Sequence, residues 1–170
     1  MAEIVESVDK SQKISLDREG KYLTFSLAGE EYGIVILKVK EIIGMMPITP
    51  VPKTPSYVKG VINLRGKVIP VADLRLKFDM DEMDYTERTC IIVVEIKDGA
   101  GHVLMGVVVD SVSEVLNIKN GEIEDTPAFG TQMDTGYILG MAKTGGAVKI
   151  LLDIDKVFGD EEMIEMEKAA

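Results

Sequence analysis

Residues 57–78 read YVKGVINLRGKVIPVADLRLKF. Two apolar runs, Val61 to Leu64 and Lys67 to Val71, flank Arg65-Gly66, and this spacing predicts a β-hairpin with a tight tip. The tip carries a guanidinium beside a glycine, Gly66, that is free to take a positive φ angle. A diluted version of the stretch recurs downstream. Setting Tyr57 against Tyr137 also pairs Gly60 with Gly140, Gly66 with Gly146, Val68 with Val148 and Asp73 with Asp153. Upstream, Gly33 to Ile43 (GIVILKVKEII) lies over Gly106 to Leu116 (GVVVDSVSEVL). One β unit is used twice, and an arginine stands at the tip of the first copy alone.

The rest of the chain fits a doubled β unit. Tyr22 to Leu27 alternates apolar and polar residues, turns at Ala28-Gly29-Glu30 and returns through Tyr32 to Ile36. Leu37 to Ile43, with apolar residues at 39, 42 and 43, is expected to form one or two helical turns. Met46 to Pro55 holds four prolines and must be an extended connection, ending in a Thr54-Pro55 pair that resembles an N-cap with a following proline and is expected to start a short turn before Gly60. The second copy runs through Cys90 to Ile96, a glycine turn at 98–101, Val103 to Val109 and Ser111 to Leu116. After a polar link over 120–136 comes the last hairpin, Ile138 to Lys143 and Val148 to Leu152 around Thr144-Gly145-Gly146. Residues 1–20 are expected to form a loose arm, and 159–170 a closing helix that docks Met163, Ile164 and Met166. Short β-branched strands with glycine turns predict a mainly β fold of two five-stranded SH3-like β-barrels around a shared apolar seam. The two intertwined units span about 21–88 and 89–158, and the run CIIVVEI is expected to be covered on both faces.

With 170 residues, folding buries roughly two-thirds of the unfolded chain's surface, enough for a core. The chain is 46% apolar and 28% charged, an ordinary globular balance. Its formal net charge of −10, without a Lys/Arg stripe, opposes binding to nucleic acid or anionic membrane surfaces and points to protein partners. Neither a transmembrane run nor a secretory leader is expected, and the single cysteine fits a reducing cytoplasm.

Nothing in the pattern points to catalysis, a metal or a cofactor. His102 stands alone beside a glycine turn and reads as a surface residue. Cys90 opens an apolar run, where a small buried residue is wanted rather than a reactive thiol. The acidic stretch Asp79 to Asp84 lacks the central glycine and the twelfth-position glutamate of a calcium loop. Phosphate-binding glycine motifs are missing too.

Three segments, EEYGIVILKVKEIIG, GVINLRGKVIPVADLR and MGVVVDSVSEVL, together resemble the CheW adaptor family of bacterial chemotaxis, over about residues 22–158. The resemblance implies two five-stranded barrels and a non-catalytic adaptor that couples chemoreceptors to the histidine kinase CheA. It also implies that the kinase's regulatory domain shares the fold and alternates with the adaptor in rings beneath the receptors.

Arg65 on a stiff hairpin can be a plain solvated turn; the resemblance makes it a partner contact, where its planar fork engages a carboxylate or carbonyls. Glu41 is either the polar face of a short helix or a contact, and the resemblance favours contact. Val35, Val39 and Ile43 stand between core and an apolar receptor groove; Phe129 stands between core and an exposed anchor that closes a ring. Gly60, Gly66 and Gly106 are structural glycines near these contacts. The same fold serving another sensory system, or a small-ligand-binding barrel, are the alternative readings.

Overall fold

A computed structural model describes residues 18–99, 101–127 and 136–158. In the first half the strands are β1 (Gly20–Leu27), β2 (Glu30–Val35), β3 (Val39–Gly44), β4 (Val58–Leu64) and β5 (Lys67–Asp73). In the second half they are β6 (Cys90–Asp98), β7 (Gly101–Val109), β8 (Ser111–Ile118), β9 (Ile123–Glu124), β10 (Ile138–Thr144) and β11 (Ala147–Leu152). They form two mixed sheets, one in the order β8-β1-β2-β11-β10-β9 and one in the order β3-β6-β7-β5-β4.

The fold is mainly β as expected, but in place of two five-stranded SH3-like barrels the described residues form two sheets that do not close into barrels, of six and five strands. The sixth strand is the two-residue β9, which pairs with β10. Each sheet draws strands from both sides of residue 88. Exchanging the halves maps β8-β1-β2-β11-β10 onto β3-β6-β7-β5-β4, strand for strand. The crossing points are parallel: β5 lies beside β7 with Val71 opposite Gly106, and β11 lies beside β2 with Leu151 opposite Gly33. Absent side chains make this approach possible. A β-carbon on Gly106 would stand 2.8 Å from Ile91 Cγ2 and 3.2 Å from Val71 Cγ2.

Strand β6 shows why its apolar run is continuous. Ile91 and Val93 enter a cluster with Ile62, Ile69, Val71 and Val108, whereas Ile92, Val94 and Ile96 point the other way, into the seam between the sheets. The seam is the largest cluster, holding Leu23, Phe25, Leu27, Ile34, Met105, Leu152 and Phe158. A third cluster, with Tyr22, Ile118, Ile123, Ala142 and Leu151, backs the six-stranded sheet. Period-two alternation therefore feeds two cores at once.

Within residues 37–43 the helical part ends at Lys38, and the rest is strand. A 3-10 turn covers Ile36–Lys38, and Val39 already belongs to β3, which pairs antiparallel with β6. A bulge between Val39 and Glu41 explains the misleading spacing: Val39 sits opposite Val94, Glu41 opposite Val93 and Ile43 opposite Ile91. The extra residue moves apolar positions out of strict alternation and imitates a helical period. The Thr54-Pro55 pair starts the expected short turn before Gly60, in which the Val58 amide donates to the Pro55 carbonyl at 3.0 Å.

Two single-turn helices, Leu74–Lys77 and Ile154–Val157, escape the sequence reading because four residues carry no periodic signal. Both are capped alike. Asp73 accepts from the Arg75 amide at 3.0 Å, and Asp153 accepts from the Asp155 amide at 3.1 Å. Of the expected N-terminal arm, residues 1–17 lie outside the described residues; Arg18 is tied to Asp125 and to the Leu139 carbonyl. The expected closing helix at 159–170 also lies outside them.

Candidate interaction site

The hairpin tip has both residues in the left-handed region, Arg65 at φ 50° and Gly66 at φ 87°. These angles match the right-handed twist of β4 and β5, as a two-residue hairpin requires. The Gly66 amide donates to Asn63 Oδ1 at 2.9 Å and fixes the turn. For a residue with a β-carbon this conformation costs roughly 1–2 kcal/mol. In the second copy the equivalent position is Gly145, at φ 58°, which avoids the cost. An arginine is held at the tip against local preference.

Its guanidinium reaches β3. Arg65 Nη1 donates to Glu41 Oε1 at 3.0 Å, and Nη2 donates to Oε2, so the carboxylate is gripped by both prongs. The Arg65 hydrogen bond holds the Glu41 carboxyl below its ordinary range, and the same bond raises the Arg65 pKa. The Arg65 side chain stays 70% exposed. Thus the pair is preformed and open to solvent. It also spans the sheet, because β3 and β4 are its opposite ends.

The other candidates spread around this pair. Ile43 packs on the cluster beneath the hairpin, and Val39 packs on the seam. Val35 packs against the third cluster and lines a cleft of about 390 Å³ with Tyr22, Lys38 and Leu139. All three are partly buried, so the structure does not gather them into one patch with Arg65. Gly60, at φ 142°, lies under the proline-rich segment, and Gly66 has open space around it. Phe129 lies outside the described residues.

Several exposed apolar residues were missed. Ile42 follows Glu41 on β3, and Val68, 67% exposed, lies two residues beyond Gly66. Leu37 stands 82% exposed on the 3-10 turn. Strand alternation identifies Val68, since Ile69 and Val71 point inward; nothing in the sequence separates Leu37 from a core residue. Equally hidden was Arg75, whose Nε and Nη2 bind Asp110 Oδ1 and Oδ2 at 2.7 and 2.6 Å. Burial acts to raise the Asp110 pKa, but bonds from Arg75 and the Ala28 amide outweigh it and hold the carboxyl low.

Among the described residues no group of three or more His, Cys, Asp or Glu side chains is placed to hold a metal ion. The solvent-open Arg65–Glu41 pair lies near the exposed aliphatic side chains of Ile42 and Val68.

The model of the CheW-like domain matches residues 21–162. The chain belongs to this family. It is 41% identical over 150 residues to the chemotaxis protein CheW of Klebsiella aerogenes, covering 88% of each chain. Against the chemotaxis protein CheW of Bacillus subtilis the identity is 38% over 115 residues, covering 68% of this chain and 70% of the relative. The crystal structure of the scaffolding protein TtCheW from Thermoanaerobacter tengcongensis superposes with a TM-score of 0.73 at 37% identity. That match covers 85% of this chain and 95% of the other. The chain is a chemotaxis adaptor of the CheW family. No described helix is long and apolar enough to cross a membrane.

Proposed function

We propose that this protein works in the cytoplasm as a non-catalytic coupler, joining the signalling tips of chemoreceptors to the regulatory domain of the histidine kinase CheA at membrane-associated arrays. The observation that carries this is the Arg65–Glu41 pair. A guanidinium kept in a left-handed turn and already gripped in two places loses little freedom when a partner docks on it. We assign Arg65, Glu41 and their exposed neighbours to the kinase contact, and Val35, Val39 and Ile43 to the receptor side. Phe129 serves a second contact that closes the ring. Each sheet acts as a barrel-like lobe; in the five-stranded one, side chains of Arg65 and Glu41 link ends that no backbone ladder joins.

The mechanism is geometric. A rigid adaptor holds the kinase where receptor movements change the populations of its states. The test is CheA activity in receptor-containing membranes with wild-type protein and with Arg65→Ala. Receptor control is expected to require the adaptor and to weaken in the variant. Full receptor control without the adaptor, or ATP hydrolysis by the adaptor alone, overturns the proposal.

A further inference from the structure

The two lobes present the same surface features with one omission. In the five-stranded lobe Glu41 lies at the bulge of β3, the exposed Ile42 follows it, and the exposed Val68 lies beyond the hairpin tip. The six-stranded lobe repeats the set on β8 and the β10–β11 hairpin. Pairing of β8 with β1 shifts between Leu23 and Phe25, so that Ser113 and Glu114 together stand across from Thr24. The buried Thr24 hydroxyl donates to the Glu114 carbonyl at 2.7 Å and accepts from its amide at 3.1 Å, which pins the backbone that carries the carboxylate. The exposed Val115 follows Glu114, and the exposed Val148 lies beyond the second tip.

What differs is the tip. Arg65 at φ 50° has its counterpart in Gly145 at φ 58°, the same backbone without the guanidinium. In the first lobe that guanidinium takes the Glu41 carboxylate with both prongs. In the second, the exposed Glu114 carboxylate has no ion pair or hydrogen bond among the described residues, and Lys143 beside the tip is taken by Glu124. One lobe therefore carries a fork with its carboxylate, and the other a carboxylate alone, each near exposed aliphatic side chains.

From this comparison we infer that Glu114 accepts an arginine supplied by the partner that closes the ring, the regulatory domain of the kinase. The inference rests on the second contact proposed above and names its chemistry. A planar fork meets a carboxylate in two places, as Arg65 meets Glu41, whereas a lysine acts as a point charge. Val115 and Val148 exclude water from the joined pair, and loss of water strengthens the attraction. The partner's surface is one that carries an arginine between aliphatic side chains. A net charge of −10 favours the approach of such a cationic surface.

Sedimentation velocity of the full-length adaptor with an equal amount of the isolated regulatory domain tests this. The wild-type chain is expected to give species larger than one-to-one, through contacts on both lobes. Glu114→Gln removes the acceptor, and Gly145→Arg sets a second guanidinium where the partner's must lie. Both variants are expected to stop at one-to-one, with the Arg65 contact intact. Phenylglyoxal, which modifies arginine, supplies the chemical readout by peptide mass. One arginine of the regulatory domain is expected to be protected by the wild-type adaptor and to react when Glu114→Gln takes its place. Larger species persisting in either variant, or no arginine whose protection depends on Glu114, overturns the inference while leaving the second contact standing. Wild type that stops at one-to-one removes the second contact and the inference together. Larger species formed by the adaptor alone give the acceptor to Arg65 of another copy, and overturn its assignment to the kinase.

Discussion

Gly60 and Thr49 meet so closely that a β-carbon on Gly60 would stand 2.0 Å from the Thr49 carbonyl oxygen. The contact is backbone against backbone, fixed by paired hydrogen bonds between Thr49 and Val61 at 2.8 and 2.9 Å. The second copy repeats it, with a β-carbon on Gly140 placed 2.9 Å from the Glu124 carbonyl. These contacts lay an extended segment along the outer edge of each hairpin.

Gly60→Ala is therefore expected to destabilise the protein by about 3 kcal/mol or more, through displaced backbone and a strained φ together. Gly66→Ala, with open space around it, is expected to cost only about 1 kcal/mol. Denaturant melts of the two variants give the comparison. Equal losses would show that the Thr49 contact yields easily.

At the tip, stability and recognition are expected to separate. Arg65→Gly removes the strain as well as the ion pair, so it should be about 0.5–1 kcal/mol more stable than Arg65→Ala. Loss of the exposed, solvent-screened pair itself should leave stability nearly unchanged. Both variants should lose the same kinase affinity, roughly 1–3 kcal/mol, if the guanidinium is the contact. Titration calorimetry with the kinase's regulatory domain reads this directly, and unchanged affinity in both removes Arg65 from the interface.

Asp110→Asn should destabilise by about 1–3 kcal/mol, since it leaves Arg75 largely buried beside a neutral amide. The folded pKa of Asp110 lies below its ordinary 3.8, so its stabilisation is complete above that value and is lost as pH falls through the folded pKa. The gap between wild type and Asp110→Asn should accordingly close in acid. Urea midpoints measured from neutral pH down to below 3.8 test the sign.

Tyr85 behaves in the opposite sense. Burial, then the nearby Asp73 carboxylate, push its hydroxyl from 10.0 up to about 12. Its neutral form is favoured in the fold, so this contribution is present below pH 10.0 and disappears as pH rises toward about 12. Phenolate absorbance should show one tyrosine titrating late, and Tyr85→Phe should remove that step. Persistence of the late step in Tyr85→Phe would assign it to Tyr32, whose pKa is also raised.

The hairpin at 57–78 was legible because alternation, a two-residue tip and a repeated copy all agree there. The segment at 37–43 was not, because its bulge serves two cores and local spacing cannot report that. Asp73 and Asp153 were visible as a repeated pair, yet their capping roles emerge only with the helices that they start.

The sequence by itself determined the β class, the duplication, the doubly covered strand at Cys90 and the lone tip arginine, since each is written in neighbouring residues or in a copy of them. Tertiary structure alone decided which half completes which sheet, that Glu41 fills the Arg65 fork, and that Arg75 finds Asp110. The reason is physical: these contacts join residues far apart in the chain, and strands of either half offer the same unpaired backbone groups and similar apolar faces. Their partners are chosen by packing over the whole seam, where small glycines admit one close approach and bulkier residues forbid the others.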